Sequence, residues 1–316
     1  MKVVEICAGG GGQALGLELA GFAHELAVDL DPDAVSTLRL NRPHWDVRCG
    51  DVASIRSRIW DWSAYRGIDL LAGGVPCTPF SVAGQQLGAA DSRDLYSWAI
   101  DLALRMRPRA LLLENVRGLA EPRFAAYRES VAHRLGGAGY WCEWRMLNAS
   151  DFWVPQLRPR YVLVAMGLEE AARFRWPSPI AQRAPTVGDA LWALMASRGW
   201  KGSTDWAERA NTIAPTIVGG SRKHGGPDLG PVRARAAWAK LGVDGRSIAD
   251  EAPGPDEPAD HVPRLTTEMV ERIQGFNPAW GWTFTGRKTT RYRQIGNAFP
   301  PPVAKAVGMA IKEALL

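Results

Sequence analysis

The chain predicts an α/β protein built on a doubly wound, mostly parallel sheet, followed by a smaller irregular domain. Three observations carry this expectation. Short apolar strands alternate with helix-length segments through the first 168 residues, the rhythm of a wound sheet. The run Ala110-Leu111-Leu112-Leu113 is continuously apolar, as strands covered on both faces are. After Met166 the rhythm stops, and prolines at 177, 179, 185 and 215 with a Gly-Gly-Ser-Arg-Lys-His-Gly-Gly turn at 219–226 replace it.

In order, residues 3–7 open as a strand, 8–12 as a glycine-rich turn and 13–20 as a helix. Further strands are expected at 24–28, 47–49, 70–73, 110–113, 140–147 and 161–166, with helices at 32–41, 96–106 and 127–135. Met269, Ile273 and Phe276 are spaced for one helical face, and 302–316 closes the chain as an apolar helix. The expected division is a first domain over 1–168, completed by 294–316, and a second over 169–293 that includes the hinge.

Composition excludes several classes. Of 316 residues 46% are hydrophobic and 22% charged, and no apolar run approaches the roughly 20 residues of a membrane helix. Met1-Lys2-Val3-Val4-Glu5-Ile6 reads directly into a strand rather than a signal peptide, so a cytoplasmic location is expected. Four cysteines form neither a disulfide framework nor a CxxC pair, which predicts reduced thiols and no metal site. A net charge of +5 favours a polyanionic partner. Residues 198–246 hold nine Lys or Arg against four acids and are candidates for a phosphate backbone, whereas 250–260, with five acids and three prolines, read as a solvated linker.

The turn Ala8-Gly9-Gly10-Gly11-Gly12, between a strand and a helix, lets backbone approach a ligand and aims helix N–H groups at it. Asp29 at the end of the next strand is placed for ribose hydroxyls, and Asp51 after the third for an adenine amino group, the logic of nucleoside-cofactor sites. Cys7, Cys49 and Cys142 lie in or beside apolar strands as small buried side chains. Cys77 differs: it follows Gly73-Gly74 in a proline-flanked loop at the carboxyl edge of the sheet. Glu114 ends another buried strand and should reach the same edge. Arg158 and Arg160 alternate before the strand at 161–166 and, by strand periodicity, should point the same way.

On these residues the chain resembles the DNA cytosine-5 methyltransferases over nearly its whole length. Glu5-Ile6-Cys7-Ala8-Gly9-Gly10-Gly11-Gly12 is similar to the family's cofactor turn, Asp29 and Asp31 to its ribose segment, and Gly50-Asp51-Val52 to its adenine segment. Gly74-Val75-Pro76-Cys77-Thr78-Pro79-Phe80-Ser81 resembles the nucleophile loop, Asp91-Ser92-Arg93 the helix start that follows it, Glu114-Asn115-Val116 the catalytic acid, and Gln156-Leu157-Arg158-Pro159-Arg160 the arginine motif. Residues 264–276 resemble the segment after the target-recognition region, and Gln294-Ile295-Gly296-Asn297-Ala298-Phe299-Pro300 the last motif.

The resemblance implies a Rossmann-like, S-adenosyl-L-methionine-dependent enzyme that methylates C5 of a cytosine flipped from double-stranded DNA. Catalysis falls to Cys77, Glu114, Arg158 and Arg160. Cofactor binding falls to Cys7, Ala8, Gly9, Gly11, Gly12, Asp29, Leu30, Asp51, Val52, Pro76, Asn297 and Ala298. DNA contacts fall to Ser81, Gln85, Gln86, Asn115, Gln156, Arg222, Lys223, Arg264 and Arg291, with Arg287, Lys288 and Arg293 nearby. A monomer in a restriction-modification or phage system, with any cognate restriction endonuclease acting separately, is expected. Two positions depart from the family pattern: Cys7 and Leu30 stand where aromatic side chains usually flank adenine, so stacking there is expected to be weaker. The competing readings are the same chemistry on transfer RNA, and a DNA-binding homologue without catalysis. Intact Cys77, Glu114, Arg158 and Arg160 speak against the latter, and the absence of Cys-Phe-Thr from 169–263 against the former.

Overall fold

A computed structural model describes residues 1–53, 61–76, 94–221 and 226–316. They form two compact units: Met1–Leu147 with Pro159–Ser178 and Val303–Leu316, and Asn148–Arg158 with Pro179–Pro302. The boundaries differ from the expected ones at three places. Residues 148–158 and 294–302 pack with the second unit, and 169–178 with the first. Composition cannot show the first of these shifts, because it is made by two buried side chains, Gln156 and Arg158, described below.

The first unit carries β1 (Lys2–Ile6), α1 (Gly12–Leu19), β2 (Ala23–Asp29), α2 (Pro32–Asn41), β3 (Val47–Cys49), β4 (Leu70–Gly74), α3 (Leu95–Met106), β5 (Ala110–Val116), α4 (Ala125–Gly137), β6 (Tyr140–Asn148), β7 (Pro159–Gly167) and α5 (Leu168–Arg173). The sheet order is β3-β2-β1-β4-β5-β7-β6. β1 pairs in parallel with β2 and β4, β2 with β3, and β4 with β5, whereas β7 runs antiparallel to β5. The winding reverses between β1 and β4, and ligands of such sheets bind at the carboxyl ends of strands flanking that reversal.

The strands form because both faces are covered. Val4, Ile6, Leu71, Leu111, Leu113 and Leu163 pack against Ala99, Ile100, Ala103 and Met106 of α3 and Val131 and Leu135 of α4. The start of α3 is fixed by Asp94, whose Oδ1 accepts from Ser97 N at 3.0 Å and from Tyr127 Oη at 2.8 Å. The chain's last helix, Pro301–Leu315, lies against α1 where Gly308 leaves room: a Cβ there would come within 2.9 Å of Ala20 Cβ and 3.0 Å of Leu17 Cδ2. Its end is tied by Arg109 Nη2 to Leu315 O at 2.6 Å and Arg173 Nε to Ala314 O at 3.0 Å. Glu5 points to the face opposite Val4 and Ile6, fully buried, with Oε2 2.9 Å from His24 Nε2. Burial pushes the Glu5 carboxyl up, against the opposing pull of His24.

The second unit is helical and irregular: α6 (Val187–Ala196), α7 (Ser203–Arg209), α8 (Val232–Ala239), α9 (Thr267–Ile273) and α10 (Lys288–Asn297), so the final helix becomes α11. Thr186 and Asp189 close a capping box on α6, which satisfies orphan N–H groups of its first turn. Trp200, Trp206 and Trp238 fill the core. Trp206 Nε1 donates to Gly242 O at 3.0 Å and Trp200 Nε1 to Pro258 O at 2.9 Å. Met269, Ile273 and Phe276 are buried as their spacing predicts. Residues 250–260 are not a free linker: Trp200 holds Pro258, and Arg198 pairs with Glu251. No helix among the described residues is long and apolar enough to cross a membrane.

Candidate active site

The carboxyl ends of β1 and β2 shape one half of the site. Cys7 leaves β1 with φ +52°, followed by Gly9 at +55° and Gly11 at +87°. A non-glycine residue in this region stores on the order of 1–2 kcal/mol of strain. A Cβ on Gly9 would meet nothing within 4 Å, so the turn faces open space. Asp29 fastens the turn from the side: Oδ2 accepts from Gly9 N and Oδ1 from Asp31 N, each at 2.7 Å. Burial raises the Asp29 carboxyl, and these two bonds oppose the rise. The half-buried Cys7 thiol is also pushed up, first by burial and then by Asp29, Asp51 and Glu5, so it stays a neutral thiol.

This half fits a nucleoside cofactor. Each carboxylate oxygen of Asp29 keeps acceptor capacity beyond its backbone bond, and Asp51 is exposed at the end of β3 with Val52 buried beside it. Leu30 is 67% exposed, an apolar surface at the position expected beside adenine. Ala8, Gly11 and Gly12 are buried and Pro76 is exposed. Among the described residues no His, Cys, Asp and Glu group has the makings of a metal site.

The second half of the site joins β4, β5 and β7. Glu114 lies inside β5, not beyond its end: the strand runs on to Val116 because β7 pairs with it from Ala110 to Val116. Arg160, opposite Val116, sets its Nε 2.6 Å from Glu114 Oε1, both side chains 12% exposed. A pair this sheltered is held more firmly than a surface pair. Glu114 is also the partner of Gly74 in the β4 ladder, so the carboxyl stands beside the strand that leads into Gly74-Val75-Pro76. Cys77, Ser81, Gln85 and Gln86 lie outside the described residues, as do Arg222 and Lys223.

Three side chains take places other than those expected. Arg158 does not follow Arg160. The strand ladder begins at Pro159, so period-two alternation does not extend across that bond, and Arg158 turns into the second unit, 1% exposed. There Nη1 donates to Ile217 O at 2.8 Å, and Nη2 to Gly296 O at 2.7 Å and Ala298 O at 3.2 Å. Gln156, expected on DNA, is fully buried: Nε2 donates to Ile273 O at 3.0 Å and to Gln274 Oε1 at 2.8 Å, while Oε1 accepts from Ile217 N at 2.9 Å. Asn115, also expected on DNA, is 1% exposed and lies along the β4 exit, Nδ2 at 3.5 Å from Val75 O and Oδ1 accepting from Val116 N at 2.8 Å. Side chains this deeply buried do not reach the edges of bases.

The remaining residues of the second unit sit as follows. Asn297 is exposed and donates from Nδ2 to Gly220 O at 3.1 Å, whereas Ala298 is buried and its carbonyl accepts from Arg158 and Gln274. Arg264 is exposed and paired with Asp244 at 3.0 Å. Arg291 is half-buried and lines a polar cavity of about 350 Å³ with Arg198, Glu251 and Glu268. Two features escaped the sequence reading: the backbone clamp of Asp29, and Gln13, buried in the first turn of α1. An amide among Ala14, Leu15 and Leu17 was the available signal for the latter.

A seven-stranded wound sheet with a glycine turn, two aspartates at strand ends and a carboxylate–arginine pair where β5 meets β7 has the architecture of an α/β enzyme whose site fits a nucleoside. The model of the C-5 cytosine-specific DNA methylase family matches residues 1–313, and the chain belongs to that family. It is 59% identical over 315 residues to the Type II methyltransferase M.NaeI of Lentzea aerocolonigenes, covering 100% of this chain and 75% of that one. It is 47% identical to the Type II methyltransferase M.NgoMIV of Neisseria gonorrhoeae, covering 99% and 97%. The fold is shared with the crystal structure of the S. pombe Dnmt2 methyltransferase, at TM-score 0.62 and 20% identity over 100% of this chain and 98% of that one.

Proposed function

We propose that the protein is a Type II modification enzyme that converts cytosine to 5-methylcytosine in duplex DNA, with S-adenosyl-L-methionine as methyl donor. The observation that carries the reading is the Glu114–Arg160 pair beside Gly74, because it puts an acid and its guanidinium partner at the start of the nucleophile loop. The relatives at 59% and 47% identity bear Type II methyltransferase names, which supports DNA over transfer RNA as substrate. The protein acts as a monomer in the cytoplasm, with any cognate restriction endonuclease working separately.

C5 of cytosine is a weak nucleophile until a nucleophile adds at C6. The Cys77 thiolate forms the S–C6 bond, and the displaced electron pair makes C5 nucleophilic. Glu114, with Oε1 committed to Arg160, offers Oε2 to hold a proton at N3, so that charge does not build up on the ring. Arg160 fixes the carboxyl and supports the O2 side of the base. When bound, the cofactor supplies an electrophilic sulfonium methyl, with Asp29 holding the ribose, Asp51 the adenine amino group and the Gly9–Gly12 turn the amino-acid end. Transfer of the C5 proton to water restores the C5=C6 bond and expels the Cys77 thiolate. Since stacking hides the attacked face, the base must leave the duplex, at a few kcal/mol.

Arg158 and Gln156 hold the second unit together in this reading and do not touch the base. Lys and Arg within 198–246, with Arg264, Arg287, Lys288, Arg291 and Arg293, supply phosphate and base-edge contacts. Radiolabelled methyl transfer to duplex DNA and to transfer RNA, with Cys77→Ala alongside, tests the proposal. Labelling of DNA that vanishes in Cys77→Ala supports it, and labelling of transfer RNA alone overturns it.

A further inference from the structure

Gln13 is 3% exposed, and neither its Oε1 nor its Nε2 has a hydrogen-bond partner. A buried amide with no protein partner costs stability, and in a native protein it calls for an explanation, a catalytic role or a bound water among them. The amide is not adrift in apolar packing. A methyl placed on Gly74 would lie 3.6 Å from Glu114 Oε2, 3.7 Å from Cys7 O and 3.8 Å from Gln13 Oε1. Three polar groups from three elements thus converge on the space that the missing Cβ of Gly74 leaves. One of them is Oε2 of Glu114, whose other carboxyl oxygen lies 2.6 Å from Arg160 Nε.

We propose that Gln13 is a positioning residue for Glu114: its amide, reaching Oε2 through ordered water seated beside Gly74, fixes the orientation from which the carboxyl addresses the target ring. The inference rests on the assignment of Glu114 to the base. Arg160 Nε meets the carboxyl at Oε1, and a hydrogen-bonding partner on the Oε2 side narrows rotation about the end of the side chain. A water bridging two buried polar groups is nearly as effective as a direct bond. Gly74 is required because any side chain there takes the bridging space, although an added methyl would make only ordinary contacts with the protein itself.

Gln13→Leu and Gly74→Ala test this in the full-length protein with its DNA and cofactor. Single-turnover methyl transfer to duplex DNA is expected to fall about tenfold in each, equivalent to about 1.4 kcal/mol, while the dissociation constant of S-adenosyl-L-methionine stays within about twofold. Thermal unfolding of Gln13→Leu is expected within a few degrees of the wild type, because the lost water-mediated bond and the relieved cost of burying an amide oppose each other. Trapping of Cys77 on DNA carrying 5-fluorocytosine is retained at a slower rate, whereas loss of all trapping in the wild type would break the underlying reading instead. Wild-type transfer rates in both variants overturn the proposal. So does a loss of cofactor affinity with an unchanged transfer rate, which would assign the amide to the cofactor.

Discussion

Replacing Arg158 by methionine separates two roles that a sequence cannot tell apart. The methionine keeps the stem and removes a guanidinium that donates to Ile217 O, Gly296 O and Ala298 O at 2.7 to 3.2 Å. Three buried carbonyls lose a charge-assisted donor. At about 1–2 kcal/mol each, reduced because the three share one group and because the charged head no longer has to be desolvated, the net loss is about 3–4 kcal/mol. For a unit of this size that lowers the unfolding temperature by roughly 10 °C. Circular dichroism followed through the melt measures the shift, and single-turnover transfer normalised to folded protein measures chemistry at a temperature where the variant is native. Arg158→Met is expected to retain transfer within about tenfold. Arg160→Gln is expected to show the converse, a shift of only a few degrees with transfer down by about 10²-fold or more. An Arg158→Met protein that melts as the wild type but loses transfer more than 100-fold would place this guanidinium on the reacting base and refute the reasoning.

Three further outcomes are expected. Glu114→Gln should lower transfer by about 10²–10⁴-fold with little effect on DNA retention in a mobility-shift assay; equal loss of both would assign Glu114 to binding. Gly188→Ala should destabilise the second unit by about 2 kcal/mol or more, read by denaturant titration, because the new Cβ collides with the Ala207 carbonyl of α7; an unchanged midpoint contradicts the close α6–α7 packing. Burial raises the Glu271 carboxyl to about 7, with Glu268 adding to the rise and Arg291 and Arg272 opposing it. Since the folded value lies above the unfolded one, this group's stability is intact below about pH 4.5 and is lost as pH rises through about 7. Glu271→Gln should therefore stabilise the protein by up to about 3 kcal/mol at pH 8 and not at pH 4.5, and a gain independent of pH would exclude the assigned cause.

The sheet was legible because its signals are local. Continuous apolar strands such as 110–113 and the glycine turn at 8–12 declare themselves within a few residues, and both stand where they were expected. The strand-end placement of Asp29 followed from chain rhythm alone, but its clamp on Gly9 and Asp31 did not, since that depends on which way a carboxyl turns. Arg158 shows the limit more sharply. Periodicity placed it beside Arg160, yet Pro159 starts the ladder and the preceding residue answers to Ile217, Gly296 and Ala298, which lie 59 to 140 positions away in the chain. The acidic stretch at 250–260 was legible in part: its acids are exposed as they read, but its Pro258 carbonyl accepts from a buried tryptophan, so it is no free linker. Gln13 was passed over because a single amide in a helix has no pattern; only the atoms around Gly74 give it meaning.

Covalent capture of the nucleophile tests the central claim most directly. Incubating the protein with S-adenosyl-L-methionine and duplex DNA containing 5-fluorocytosine at the modified position removes the C5 proton whose loss releases the enzyme. The account predicts a denaturation-resistant protein–DNA adduct mapping by mass spectrometry to Cys77, absent in Cys77→Ala and slowed in Glu114→Gln. An adduct at another residue, or methylation of ordinary cytosine by Cys77→Ala, would contradict it.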